Sequence, residues 1–299
     1  MTSAVTPAPV PEPVPTVTPG RSERAQARVE TIRLLLRKPG FLIGNAIVLF
    51  WLFCAVFGEA VAPHDPFNDF FAGHQAPSPE HLFGTDRLGR DVLSRVMVGA
   101  RDVLIAAPIA ALIGVVVGTL LGLVMGYYQG FIDDVLSRIV EAFLALPVIM
   151  VALLTLVVLG SSTVVVVLVV GILFTPIVAR TVRSAVLAER QLDYVTAAKL
   201  RGESGPFIMV REIFPNILPP IVVELTVRIG YAIFTVATLS FLGVGIQPPS
   251  PDWGLQVAEE YNNMIAGIWW PTLFPALAIA TTVVAVNLIA DALQSVASE

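Results

Sequence analysis

Charge is scarce in this sequence: Asp, Glu, Lys and Arg make up 14% of its 299 residues, where a soluble domain carries about a quarter. Lysine occurs only as Lys38 and Lys199, and no G-x-x-x-x-G-K-[ST] phosphate loop exists, so ATP chemistry is not expected in this chain. The single cysteine, Cys54, sits in an apolar run, which excludes an internal disulfide framework and predicts a free buried thiol. The three histidines, His64, His74 and His81, are spaced by ten and seven residues, which matches no metal-ligand pattern, so no metal site is expected. The net charge of −5 shows no basic excess and argues against a nucleic-acid partner. The first 20 residues have no apolar core, so no cleavable secretory signal is expected.

Apolar side chains dominate instead, at 56% of the chain. Crossing about 30 Å of hydrocarbon takes roughly 20 such residues. Suitable runs lie near 41–61, 103–127, 139–160, 163–180, 219–245 and 268–292. They predict an all-α, polytopic membrane protein with six transmembrane helices and no soluble catalytic domain. Residues 1–38 divide into a proline-rich stretch (1–20), expected to be disordered, and a basic tail with Arg21, Arg24, Arg28, Arg33, Arg37 and Lys38. A first helix at 39–61 and a loop at 62–102 precede a core at 103–295, interrupted by a connection at 181–218. Helices two to six read as one packed unit, with helix one added in front.

Basic residues gather on the cytoplasmic side of a membrane. The amino-terminal tail is basic, and 181–218 carries Arg183, Arg190, Lys199, Arg201 and Arg211, while 246–267 has no Lys or Arg. Six spans with both termini cytoplasmic satisfy these segments. The loop 62–102 is the exception, with Arg87, Arg90, Arg95 and Arg101 on the outside.

Within the second span Gly114, Gly118, Gly122 and Gly126 recur every four residues, followed by Gly130. Such a stripe lets helix backbones approach closely where lipid supplies no hydrophobic drive, so helix packing is its expected role. Pro108, Pro147, Pro176, Pro271 and Pro275 are expected to bend or break their spans. Glu224 and Arg228, four apart, share a helix face and predict an ion pair, while Glu141 and Asp291 fall at span ends. None of these forms the chain of acidic groups that a proton-coupled carrier needs. No Ser/His or paired-Asp set within the spans supports a membrane-embedded hydrolase, and no catalytic residue is assigned.

The connection contains Asp193-Tyr194-Val195-Thr196-Ala197-Ala198-Lys199-Leu200-Arg201-Gly202 and then Glu212-Ile213-Phe214-Pro215. Strong helix formers predict a short helix, Gly202 its end and Pro206 the first turn of another. Such a helix–turn–helix would be a docking knob, though spacing alone also allows an ordinary loop.

This segment resembles the EAA loop of ABC-importer permeases, E-A-A-x3-G-x9-I-x-L-P. Ala197, Ala198, Gly202 and Pro215 match it, while Thr196 stands for the Glu, Glu212 for the Ile and Phe214 for the Leu. Gly84-Thr85-Asp86, then Gly89-Arg90-Asp91 and Ser94-Arg95, is similar to the G-T-D-x-x-G-R-D-x-x-S-R signature of dipeptide, oligopeptide and nickel importer permeases. Leu239 to Gly245, including Gly243, with Asp252-Trp253-Gly254, is similar to that family's segment after the fifth span. Residues 37–66 look like the extra amino-terminal helix of the C-type subunit.

The resemblance implies a type I ABC importer permease fold in the bacterial inner membrane. It implies a homologous B-type permease partner, two ATP-binding subunits that hold ATP and Mg2+, and an extracytoplasmic solute-binding protein that delivers peptide. Thr196, Ala197, Ala198 and Gly202 would then lie in the helix that docks on an ATPase, and this chain would need no cofactor. Resembling permeases also move nickel, haem, opines or oligosaccharides, and an ion-coupled secondary carrier is the alternative of another class.

Overall fold

A chain in lipid must satisfy its backbone hydrogen bonds within itself, and long apolar runs do so as helices. The computed structural model describes residue 30, residues 33–68 and residues 70–297, so the proline-rich stretch 1–20 lies outside the described residues. The helices are α1 (Pro39–Val61), α2 (Val92–Tyr128), α3 (Gly130–Leu144), α4 (Val148–Leu159), α5 (Thr163–Glu189), α6 (Asp193–Leu200), α7 (Leu218–Phe241), α8 (Trp253–Glu260) and α9 (Trp270–Ala297). Of the basic tail, residues 33–37 are helical. Among the described residues the isolated bridge of Thr85 with Asp91 is the β pairing present. Cys54 is a buried free thiol.

Five helices (α1, α2, α5, α7 and α9) are each long and apolar enough to cross a membrane. The third span, expected at 139–160, is instead two helices, α3 and α4, meeting at 86°. Pro147 sits at the break, lacking an N–H and disfavouring helical backbone in Leu146 before it. Pro108, Pro176 and Pro275 are different: they lie inside α2, α5 and α9, which continue through them. The contrast follows packing. α2 and α5 bury residues along their whole length, whereas α4 buries only Ala152 and Leu156 and α3 only Asp133 and Val140. Two other boundaries move: α2 begins at Val92, inside the expected loop, and α5 continues past 180 to Glu189. Glu141 lies near the end of α3 rather than at a span start, and Asp291 lies inside α9.

α2 and α5 form the most extensive helix pair, and they run parallel. A methyl group added at Gly114 would sit 2.8 Å from the carbonyl oxygen of Gly171. At Gly118 it would meet Val178 Cβ at 2.6 Å, at Gly122 the Ala179 oxygen at 2.7 Å, and at Gly126 Val186 Cβ at 2.6 Å. Register rises together on both helices, so α3 and α4 between them must carry the chain back to the end where α2 began. The bent pair therefore makes one traverse, and six traverses place Lys38 and Ser295 at the same end, where Lys38 Nζ donates to Ser295 Oγ at 2.5 Å. Gly130 is outside this stripe: α2 has already ended, Gln129 has φ +52°, and nothing lies within 4 Å of a methyl group at Gly130.

α1 packs antiparallel on α9, with Gly44 against the Ala285 oxygen and Trp51 Nε1 donating to Thr281 Oγ1 at 3.4 Å. Its Trp51 ring also meets that of Trp253 at 4.8 Å, edge to face. Glu224 and Arg228 pair within α7 at 2.7 Å, as their spacing predicts.

Gly122→Val should force the α2–α5 contact apart and cost about 1–3 kcal/mol, the usual range for overpacking. Gly40→Ala, whose methyl would lie 3.5 Å from Leu288 Cδ2 in ordinary contact, should stay within about 0.5 kcal/mol. Thermal melts of the purified chain in detergent check both. Equal melting points for wild type and Gly122→Val would reject the close packing.

Candidate functional sites at the two ends of the bundle

At the end where α2 finishes, α6 runs from Asp193 to Leu200 and stops at Gly202, whose φ is +78°. Only glycine adopts that backbone at no steric cost. The Gly202 N–H donates to the Lys199 oxygen at 3.0 Å and the Glu203 N–H to the Ala198 oxygen at 3.3 Å, the paired bonds of a Schellman termination. A short turn at Gly205–Phe207 holds Pro206 in its first turn, and a π-helical turn at Ile208–Ile213 then leads to Pro215 and α7. Arg201 clips this corner, donating to Glu203 at 2.8 Å and to Glu212 at 3.3 Å.

The five residues singled out in this segment separate into two groups. Thr196, Ala197, Gly202 and Pro215 are exposed, whereas Ala198 is fully buried with Val195. Val195 and Ala198 join Ile208, Met209, Ile213 and Ile217 in a core that also contains Leu123 of α2 and Val178, Val182 and Val186 of α5. Ala198 therefore faces this inner core and is not a contact surface. Its neighbour Leu200 is 85% exposed. Tyr194 donates to Glu189 Oε2 at 2.7 Å, and burial, helped by that carboxylate, pushes its phenol up to about 12. It stays a neutral donor that ties α6 to the end of α5.

At the opposite end, the described residues between α1 and α2 fold over the bundle. Asp86 is the centre: its Oδ1 accepts from the N–H groups of Leu88 and Arg90, both at 2.9 Å, and its Oδ2 from Arg90 Nε at 2.6 Å. Arg90 also donates to Glu259 at 2.9 Å, and the buried Arg95 lies between Asp86 at 3.6 Å and Glu259 at 3.8 Å. Glu260 is buried and accepts from the Arg87 N–H at 2.9 Å and Asn263 at 2.8 Å, with His74 at 3.1 Å. Thr85 presents its carbonyl to Trp270 Nε1 at 3.1 Å and its hydroxyl to the Ala72 oxygen at 2.7 Å. Gly84 and Gly89 stand at turns of the loop with φ of +73° and +78°. The signature residues Gly84, Thr85, Asp86, Gly89, Arg90 and Asp91 are thus brought together as a clasp between the loop, α2 and α8.

Glu259 and Glu260 were legible in the sequence only as acidic loop residues; their partners lie 169 and 173 positions away. The Asp133–Arg183 fork, at 2.6 and 2.5 Å between α3 and α5, has no sequence signal either, since 50 residues separate the two.

Gly243 and Gly245 shape the turn after α7, where Ser240 Oγ accepts from the Ile246 N–H at 3.0 Å. Asp252 then caps α8, its Oδ1 accepting from the Leu255 N–H at 2.9 Å, while its buried Oδ2 has no hydrogen bond. Burial pushes this carboxyl up to about 6, against the cap bond that favours its charge. The folded chain then holds the Asp252 proton more tightly than the unfolded chain does. Stability from this group is full below about pH 4 and falls as pH rises to about 6, by roughly 3 kcal/mol in all.

Asp252→Asn keeps the cap and removes the titration. Melting temperatures between pH 4 and 6.5 should fall less in the variant than in wild type, and the variant should be the more stable at pH 7. Parallel pH profiles would overturn the assignment.

A family model described as the binding-protein-dependent transport system inner membrane component matches residues 118–298. The chain is 42% identical over 265 residues to the dipeptide transport system permease protein DppC of Escherichia coli K12, covering 86% of this chain and 88% of the relative. It is 42% identical over 249 residues to the glutathione transport system permease protein GsiD of Shigella flexneri serotype 5b, covering 83% and 82%. Among solved structures, a chain of the inward-facing MetNI methionine ABC transporter matches with a TM-score of 0.52 at 18% identity, over 65% of this chain and 93% of that one. The last likeness bears on the fold alone. With matches over most of its length, the chain belongs to the family of binding-protein-dependent transport system inner membrane components, the permease subunits of ABC transporters.

Proposed function

We propose that this chain forms half of the membrane path of an ATP-driven importer of dipeptides or oligopeptides. A homologous B-type permease supplies the other half, two separate ATP-binding subunits hold ATP and Mg2+, and an extracytoplasmic solute-binding protein delivers the peptide. The observation that carries this reading is the 42% identity with a dipeptide permease across 86% of the chain. The basic residues support cytoplasmic termini, because Lys38 and the 181–218 connection lie at the same end of the bundle. The loop between α1 and α2 then faces outward, towards the binding protein.

The geometry of α6 supports a coupling role. Its exposed side offers Thr196, Ala197, Leu200 and Gly202 to a partner, and its buried side places Val195 and Ala198 in an apolar core that includes residues of α2 and α5. A displacement of α6 by closing ATPases would then press on the apolar core that it shares with α2 and α5. It is passed to the glycine-packed helix pair, which moves as one body between two states.

Gly202→Asp tests the coupling. Asp tolerates left-handed backbone better than most residues, and nothing lies within 4 Å of a Cβ added there, so insertion and folding should survive. Uptake of a radiolabelled dipeptide by cells carrying the variant should fall at least about tenfold, with the protein still present in the membrane fraction. Wild-type uptake by the variant would sink the coupling role. Loss of nickel or oligosaccharide uptake on deleting the chain, with dipeptide uptake intact, would instead overturn the substrate assignment.

A further inference from the structure

His64, His81 and Asp91 come from three separated positions: just past the end of α1, in the middle of the loop, and at the N-cap of α2. One ligand atom from each lies within 4.8 Å of the other two. His81 Nδ1 is 2.9 Å from Asp91 Oδ1, and His64 Nδ1 is 3.7 Å from the same oxygen. A tetrahedral ion bound at 2.0–2.1 Å would hold its ligand atoms about 3.3 Å apart, a spacing that these two distances bracket.

We propose that these three residues form a binding site for a divalent transition ion of the zinc class. Three observations support it beyond proximity. First, Asp91 is a buried carboxylate with no Arg or Lys within 4 Å among the described residues. Asp86, five residues earlier, is flanked by Arg90 and Arg95. The partners of Asp91 are the His81 imidazole and the Ser94 N–H and hydroxyl, with no guanidinium or ammonium among them, and a bound cation supplies a full positive charge. Second, His64 Nδ1 is buried and makes no hydrogen bond. Third, the carboxylate is oriented from behind: Asp91 Oδ2 accepts from the Ser94 N–H at 2.8 Å and from Ser94 Oγ at 2.7 Å, and that hydroxyl accepts from the His64 N–H at 3.1 Å. Such outer partners fix the direction of metal ligands.

Phe71 packs on both rings, 5.2 Å from His64 and 4.6 Å from His81, and shields the site. A surface pocket lined by Glu59, Pro63, His64 and Asp65 gives an ion access from the His64 side. Two imidazoles and a carboxylate suit Zn2+ and its neighbours, not Mg2+ or Ca2+. Three protein ligands leave one tetrahedral position for water. Sequence spacing concealed the set because its third histidine, His74, belongs to Glu260 instead.

The test uses the full-length, tag-free chain in detergent, stripped with chelator and titrated with ZnCl2 against a competing indicator dye. Wild type should bind one Zn2+ per chain, and its X-ray absorption should show imidazole and carboxylate ligands at about 2.0–2.2 Å. His64→Ala, at the rim, should fold and weaken binding at least about tenfold. His74→Ala should bind as wild type does. His81→Asn alters a fully buried side chain, so its result counts only if its circular dichroism matches wild type. No binding by wild type at micromolar Zn2+, or equal weakening by His74→Ala and His64→Ala, would overturn the site.

Discussion

Everything else in this permease rests on the parallel contact between α2 and α5, where backbone meets backbone through Gly114, Gly118, Gly122 and Gly126. Lipid tails are as apolar as leucine, so burying apolar surface alone gives two helices little reason to associate. Close van der Waals approach is what remains, and it requires residues without side chains on the touching face. Once the pair is parallel, connectivity is constrained: the chain must return between them, and α3 and α4 do so despite their bend. The core that seats α6 is built from Leu123, Val178, Val182 and Val186 of the same pair.

The two ends of the bundle solve opposite problems. One end presents an exposed helix held from beneath by apolar keys. The other gathers charge into a closed set, with Asp86, Arg90, Arg95, Glu259 and Glu260 joined across loop, α2 and α8. Arginines in 62–102 conflicted with the charge rule for topology, and the clasp accounts for two of them. Arg90 and Arg95 are matched to carboxylates inside the fold and serve it locally.

Much of the fold was legible because membrane helices announce themselves by length and hydropathy. Five spans emerged as single helices close to the expected runs, and the Schellman end at Gly202 follows directly from a glycine after strong helix formers. The third span was not legible as two helices. Pro108, Pro147 and Pro176 look alike in sequence, and only the packing around each decides whether its helix continues. The clasp residues were visible as a motif, but not their partners. Arg90 meets Glu259 and Arg183 meets Asp133 across separations that no local pattern encodes. The inward turn of Ala198, adjacent to the outward Ala197, likewise depends on which face of α6 meets the core around Ile208 and Ile213.

The elbow between α3 and α4 has a mechanical side. α4 is 12 residues long, about 18 Å at 1.5 Å per residue, and it is fixed to the bundle by few side chains, with Val158 82% exposed. Its break from α3 falls at Pro147. A swing of about 10° there displaces its far tip by about 3 Å, roughly the size of a water molecule. Small differences in the angle of the elbow are thus magnified at the tip of α4 to the scale of a side-chain contact.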